Sequence, residues 1–382
     1  MAQLVLNGGE RKNRFRIIAE QPQEVVVAYR KLERIKRELE RFQQEFASTP
    51  ESVEKLEERS LDCTSLKSAY AEALKSCTKS LEREINEMPE EKRQYYFPVM
   101  LFLSRASNSH TILPFEKYFT TYLNELRFKA NRGISVLDEM PFIGGMHTLR
   151  GFVEERIAES IKTCEAYCTL LSNSLGSYHR FFSLSEMLTT ISLVIREVSI
   201  HKTGGMLMNL GSLGKIRDQH KKGLRLDLDP VGEILGIPPL AYFLIHQVIS
   251  NAFKASFTAY TEQRLYGNSK LPADMPELPK PRVDISLTRV DSEFIRVMIT
   301  DNGIGVPQGE LGRLFGDPSQ RLHTFIHFTP SNGSSTVLFP FMADLIGVDM
   351  AFTSDGIGKG LSAELLFPVD LAMRTSRFAE SK

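Results

Sequence analysis

The spacing of apolar residues changes once along this 382-residue chain, and that change limits it to folds with two unlike parts. From about residue 20 to 178 apolar side chains recur every three or four positions. Val25, Val26, Tyr29, Leu32, Ile35 and Leu39 are separated by charges, which is the stripe of an amphipathic helix. Ser65 to Leu81, Tyr96 to Leu103, Phe115 to Leu137 and Val153 to Leu175 repeat the spacing. Pro50, Pro89, Pro114 and Pro141 fall between these stretches, where proline suits loops and helix starts. Several long helices with short connectors predict an up-and-down bundle.

Beyond Gly176 the pattern differs. Ser183 and Glu186 form a capping box, Ser at the cap and Glu three residues on, which starts a helix to about Val198. His201 to Gly214 is Gly-rich and polar and reads as a loop; Gly223 to Asp229 reads as a strand; Pro238 to about Tyr260 reads as a helix. The Pro-rich stretch from Glu262 to Pro281 reads as a surface loop. Val283, Ile285 and Leu287, then Val297 and Ile299, alternate with polar residues around Asp291-Ser292, a β-hairpin running into Asp301-Asn302-Gly303. Val348 to Ser354 and Leu361 to Phe367 form a second hairpin around a Gly-rich turn. The expected fold class is therefore α+β with two domains: a helical bundle over 1–178 and an α/β sandwich over 179–382.

Composition narrows the partners. Lys plus Arg and Asp plus Glu each total 47, so the net charge is zero. A chain that binds nucleic acid through its overall charge carries a basic excess, and this one does not. No apolar run approaches the length of about 20 residues that spans a bilayer, so no membrane partner is expected. Four cysteines in a chain this long make no disulfide framework. Cys164 and Cys168 share one helix face as small hydrophobes. Residues 1–16 hold four basic residues and Glu10 but no apolar central stretch, so they do not read as a secretory signal, and they meet the pattern of a mitochondrial transit peptide only in part.

The chemistry gathers in the second half. Asp301-Asn302-Gly303-Ile304-Gly305 stands at a strand end. A buried carboxylate there can accept a hydrogen bond from an adenine amine, and the glycines let the backbone approach the ring. The same residues also suit a plain turn. Fifty residues upstream, Gln247 and Asn251 are i,i+4 neighbours beside the apolar stripe of Leu240, Phe243, Leu244, Val248, Ala252 and Ala255. Asn is disfavoured inside helices, and its carboxamide oxygen suits Mg²⁺; a solvated Asn is the alternative. Ser331-Asn332-Gly333-Ser334-Ser335-Thr336 leads into a helix whose free N–H groups can hold a phosphate. Gly356-Ile357-Gly358-Lys359-Gly360 joins the last two strands as a tight turn. No GxxxxGK[ST] occurs, which leaves P-loop chemistry unsupported.

In this order the elements resemble the Bergerat ATP-binding fold of the GHKL superfamily, with Asn251 in the N-box, Asp301 to Gly305 as the G1 box, and Gly333 to Thr336 where the G2 box belongs. Val306-Pro307 followed by Arg313-Leu314-Phe315, and Tyr122-Leu123-Asn124 with Gly133-Ile134, are similar to the mitochondrial kinases of pyruvate and branched-chain 2-oxoacid dehydrogenases. The resemblance implies γ-phosphoryl transfer from ATP to a serine of a dehydrogenase-complex subunit in the mitochondrial matrix, with Mg²⁺, and a homodimer is compatible with it. It would put the nucleotide on Asn251, Lys254, Ala255, Asp301, Gly303, Gly305, Val306, Gly333, Ser334, Ser335 and Thr336, with Asn251 on Mg²⁺.

The sequence departs from that family where the base should be. The Glu one turn before the Asn is Gln247, which cannot take a proton near neutral pH. His246 adjoins it, about 100° around the helix, as a substitute base or a packing residue. The last GxG is followed by Lys359 in place of Thr. Two further readings stay open: a nucleotide-binding pseudokinase with little or no transfer, and a histidine kinase, for which none of the eight histidines has an acceptor context.

Overall fold

The structure, a computed structural model, describes residues 2–6, 23–48, 53–89, 93, 99–100, 103–104, 116–132, 149–172, 175–207, 222–266, 275–307, 310–311 and 334–370. The chain forms two compact units, one of residues 15–175 and one of residues 1–14 with 176–382.

The first unit is helical: α1 (Gln23–Ser48), α2 (Val53–Glu87), α3 (Glu116–Asn131) and α4 (Leu149–Leu171). The stripe on α1 buries Val25, Ala28, Leu32, Ile35, Leu39, Phe42 and Phe46, one residue every three or four. Leu74, Cys77, Leu81 and Ile85 do the same on α2. Phe42 and Phe46 meet Phe119 of α3 edge-on, with ring centroids 5.4 and 5.9 Å apart. The guanidinium of Arg150 caps this end by donating to the Phe46 carbonyl at 2.9 Å. Helix α4 packs on α1 and α3 and is buried nearly all round. Burial pushes the Cys168 thiol up to about 12 and Cys164 well above the ordinary thiol value, so both sulfurs stay protonated hydrophobes. The expected Tyr96–Leu103 helix lies mostly outside the described residues, as do the Tyr122 motif's Gly133 and Ile134.

After a short 3₁₀ turn, Leu175–Tyr178, the second unit continues with β2 (Arg180–Ser183) and α5 (Leu184–Leu207). The Ser183 hydroxyl accepts the Glu186 N–H at 3.2 Å, as the capping box requires. Helix α5 runs on to Leu207, through Gly204 and Gly205, where the sequence predicts a loop from His201; no proline interrupts it. Then come β3 (Leu224–Leu228), β4 (Glu233–Gly236), α6 (Pro238–Phe253), a π turn (Lys254–Thr258), α7 (Ala259–Tyr266), β5 (Val283–Arg289), β6 (Phe294–Asp301), α8 (Ser334–Leu345), β7 (Asp349–Ser354) and β8 (Leu361–Pro368).

With β1 (Ala2–Leu6) at one edge, a six-stranded sheet runs β1-β7-β8-β6-β5-β3, antiparallel except for β3 beside β5. Its edge strand β1 (Ala2–Leu6) corrects the expectation that residues 1–178 are all bundle. Leu4 pairs with Phe352 and Leu6 with Met350, so a short apolar segment adds to an open edge some 350 positions away. One face of the sheet carries Val283, Ile285, Leu287, Ile295, Val297, Ile299, Met350, Phe352, Ala363, Leu365 and Phe367, all buried, with α5, α6 and α8 packed on it. Every second residue points to the other face, the alternation of a sheet covered on one side. The fold is thus α+β, helices first and a mixed sheet with helices on one face after. No described helix is long and apolar enough to cross a membrane.

Candidate nucleotide site

Asp301 ends β6 on the buried face of the sheet, 4% exposed. Its Oδ1 accepts the Gly303 N–H at 2.8 Å, and the Leu361 N–H is a second donor. Burial without a cation pushes its carboxyl up to about 7, and the two N–H groups pull the other way. The carboxylate keeps capacity to accept a further hydrogen bond. Asn302 faces elsewhere: its side chain bonds the Arg282 N–H and the Lys280 carbonyl at 2.7 Å each, pinning the start of β5.

The glycines are demanded by neighbours. A Cβ on Gly303 would overlap the Ala255 carbonyl, and one on Gly305, at φ +69°, would overlap the Gly356 carbonyl. Gly360, at φ +75°, abuts the Asp301 carbonyl in the same way. Gly305 and Gly360 close the last turn onto the Asp301 loop, with Gly360 N–H donating to the Gly303 carbonyl at 3.1 Å and Gly358 N–H to the Ile304 carbonyl.

Helix α6 is docked against this loop by a defect in its own ladder. In the π turn the Ala259 N–H reaches back to the carbonyls of Lys254 and Ser256 and skips Ala255. The Ala255 carbonyl accepts the Ile304 N–H at 3.1 Å. π turns favour functional sites because they release backbone groups in this manner. Asn251 and Lys254 lie half-buried at this end of the helix. Gln247, one turn before Asn251, is buried, and its Nε2 lies 3.3 Å from Nδ1 of His246. His246 in turn stacks on Tyr242, with centroids 5.9 Å apart. Val306 is buried. Ser334, Ser335 and Thr336 form the first turn of α8, which passes through Pro340; Gly333, Arg313, Leu314 and Phe315 lie outside the described residues.

Two features escape sequence reading. The Ala255 carbonyl leaves no mark in side-chain pattern. Ser354 leaves one, a hydroxyl on the inward row of an apolar strand.

Among the described residues no group of three or more His, Cys, Asp or Glu could hold a metal ion. Asn251 offers one neutral oxygen, which suits a Mg²⁺ whose other ligands are phosphate oxygens and water, not a resident metal.

No family model matches the chain, and no curated protein matches it. Among solved structures it is similar to a mycobacterial sensor histidine kinase, MprB, at 16% identity over 50% of this chain and 97% of that one, TM-score 0.31. It is similar to the catalytic domain of the histidine kinase ThkA at 13% identity over 51% and 97%, TM-score 0.31. A blue-light activated histidine kinase of Erythrobacter litoralis aligns at 12% identity over 67% and 60%, TM-score 0.31. These likenesses are distant, and the functional reading rests on this chain's own geometry.

Proposed function

We propose that the second unit binds Mg-ATP at Asp301 and acts as a kinase-type phosphotransferase of the GHKL kind. The observation that carries this is the buried carboxylate with two backbone donors, no cation among the described residues and a glycine loop closed against it on both sides. The adenine amine would donate to Asp301, and phosphates would lie toward Asn251, Lys254 and the first turn of α8. The Mg²⁺ brought with the nucleotide neutralises charge developing on the phosphoryl oxygens. In the reading the sequence resemblance favours, the acceptor is a serine of a 2-oxoacid dehydrogenase subunit in the mitochondrial matrix. Asp301→Ala removes a buried acceptor worth about 1–3 kcal/mol. Calorimetric titration with ADP should show affinity down at least several-fold; equal affinity for both proteins sinks the assignment.

A second reading, nucleotide binding with little or no transfer, is favoured by Gln247. A carboxamide can orient a hydroxyl but accepts no proton, and base assistance is worth about 10²–10⁴-fold. Gln247→Glu should raise the rate of phosphoryl transfer from radiolabelled ATP to dehydrogenase subunits. Fast wild-type turnover, unchanged by the Glu, would point to another base, with His246 the first to mutate.

A further inference from the structure

Ser354 stands on the inward row of β7 after Met350 and Phe352, and it is 4% exposed. A buried hydroxyl needs partners, and those of Ser354 are all backbone groups of two loops. Its Oγ accepts the Val306 N–H at 3.0 Å and the Gly356 N–H at 3.4 Å, and it donates to the Gly360 carbonyl at 2.7 Å. Thr353 pairs with Ser362, and Leu361 with Asp301, so Ser354, Leu361 and Asp301 form one row across three strands. The donors to the Asp301 carboxyl belong to Gly303 and Leu361. Gly303 lies three residues before Val306, and Leu361 follows Gly360. One hydroxyl therefore fastens both segments that hold the carboxylate.

We propose that Ser354 is a positioning residue for Asp301, fixing the two loops whose N–H groups hold its carboxyl and thereby setting nucleotide affinity. The affinity part rests on the nucleotide-binding reading above; the positioning part does not. Charged side chains on the elements around Asp301 include Arg282 and Asp284, bonded to each other at β5, Arg296 and Glu364, paired between β6 and β8, Lys254 after α6, and Asp355 and Lys359 in the last turn. None of them is a cause of the carboxyl's shift, which burial and the two N–H donors set.

The test is a carboxyl carbon NMR titration of Asp301 in the nucleotide-free full chain, wild type against Ser354→Ala, with ADP calorimetry alongside. Loosening the donors should move the Asp301 midpoint upward and weaken ADP about tenfold, the scale of one buried hydrogen bond. Ser354→Thr, which keeps the hydroxyl, should return both toward wild type. Ser354→Cys, similar in size but a poor hydrogen bonder, should behave as Ala does if the Ala variant does not fold. An Asp301 midpoint unchanged in these variants overturns the proposal, because a purely structural serine would lower thermal stability and leave the titration in place. Should Asp301→Ala bind ADP like wild type, the nucleotide reading fails and the affinity part falls with it, while the titration still decides the positioning role.

Discussion

Helix α4 of the bundle and strand β6 of the sheet each bury charge, and they handle it in opposite ways. On α4 the Arg156 guanidinium bonds the Glu159 carboxylate one turn on, and both are under a tenth exposed. The hydroxyls of Ser160 and Thr169 bond carbonyls one turn back, at 2.9 and 2.8 Å. The helix supplies donor and counter-charge from its own length. On β6 the Asp301 carboxyl has two N–H donors and, among the described residues, no cation. A buried pair bonded within one element reads as structure; a buried carboxylate with no cation beside it among the described residues is a candidate ligand site.

That contrast can be broken most severely at Arg156. Arg156→Leu breaks the buried pair with Glu159 and should cost about 3–5 kcal/mol. Urea unfolding followed by amide exchange on α4 would show the loss, with ADP affinity within about twofold of wild type. A large affinity loss would mean that the bundle pair serves the site as well.

Next in size is the pH response of Asp301. Its folded value lies above the ordinary carboxyl value, so the native state holds the proton that the unfolded chain releases. The stability it contributes is fully present below about 3.8 and is lost as pH rises through about 7. The thermal midpoint of the second unit should therefore fall across that window, on the scale of about 4 kcal/mol or less. Asp301→Ala should flatten the fall, and equal slopes in both proteins would contradict burial as the cause.

Gly303→Ala is expected to cost about 1–3 kcal/mol, since the new methyl overlaps the Ala255 carbonyl and must push the loop off the helix. ADP affinity should drop with it, as calorimetry would read. Smallest is Thr169→Val on α4: its hydroxyl bonds a carbonyl already in the helix ladder, so chemical denaturation should shift by about 1 kcal/mol or less.

What the sequence discloses follows the same division. Helix α1 is legible because each buried residue is a local neighbour of the next, and the capping box at Ser183 because its partner is Glu186. The hairpin ending in Asp301 is legible through alternation. Strand β1 is not, since five residues carry little period and the partner strand is Asp349–Ser354. The small sheet of β2 and β4 escapes for a related reason: Phe181 faces solvent while Ile234 is buried, so neither strand shows a shared apolar row. In the site, side-chain chemistry at Asp301, Gln247 and Asn251 can be read from letters. The backbone carbonyl that docks the loop cannot.

The π turn at Lys254–Thr258 has a consequence for chain length. A helix that holds one residue more than its regular winding needs can lose that residue and wind smoothly, so a single deletion there would look harmless by helical propensity and by every apolar count. The same deletion would hand the Ala255 carbonyl back to its own helix and take it from Ile304. In this part of the molecule, length is a more stringent constraint than composition: an exchange of side chains in the turn can be absorbed, whereas a change of one in the number of residues separates helix α6 from the Asp301 loop.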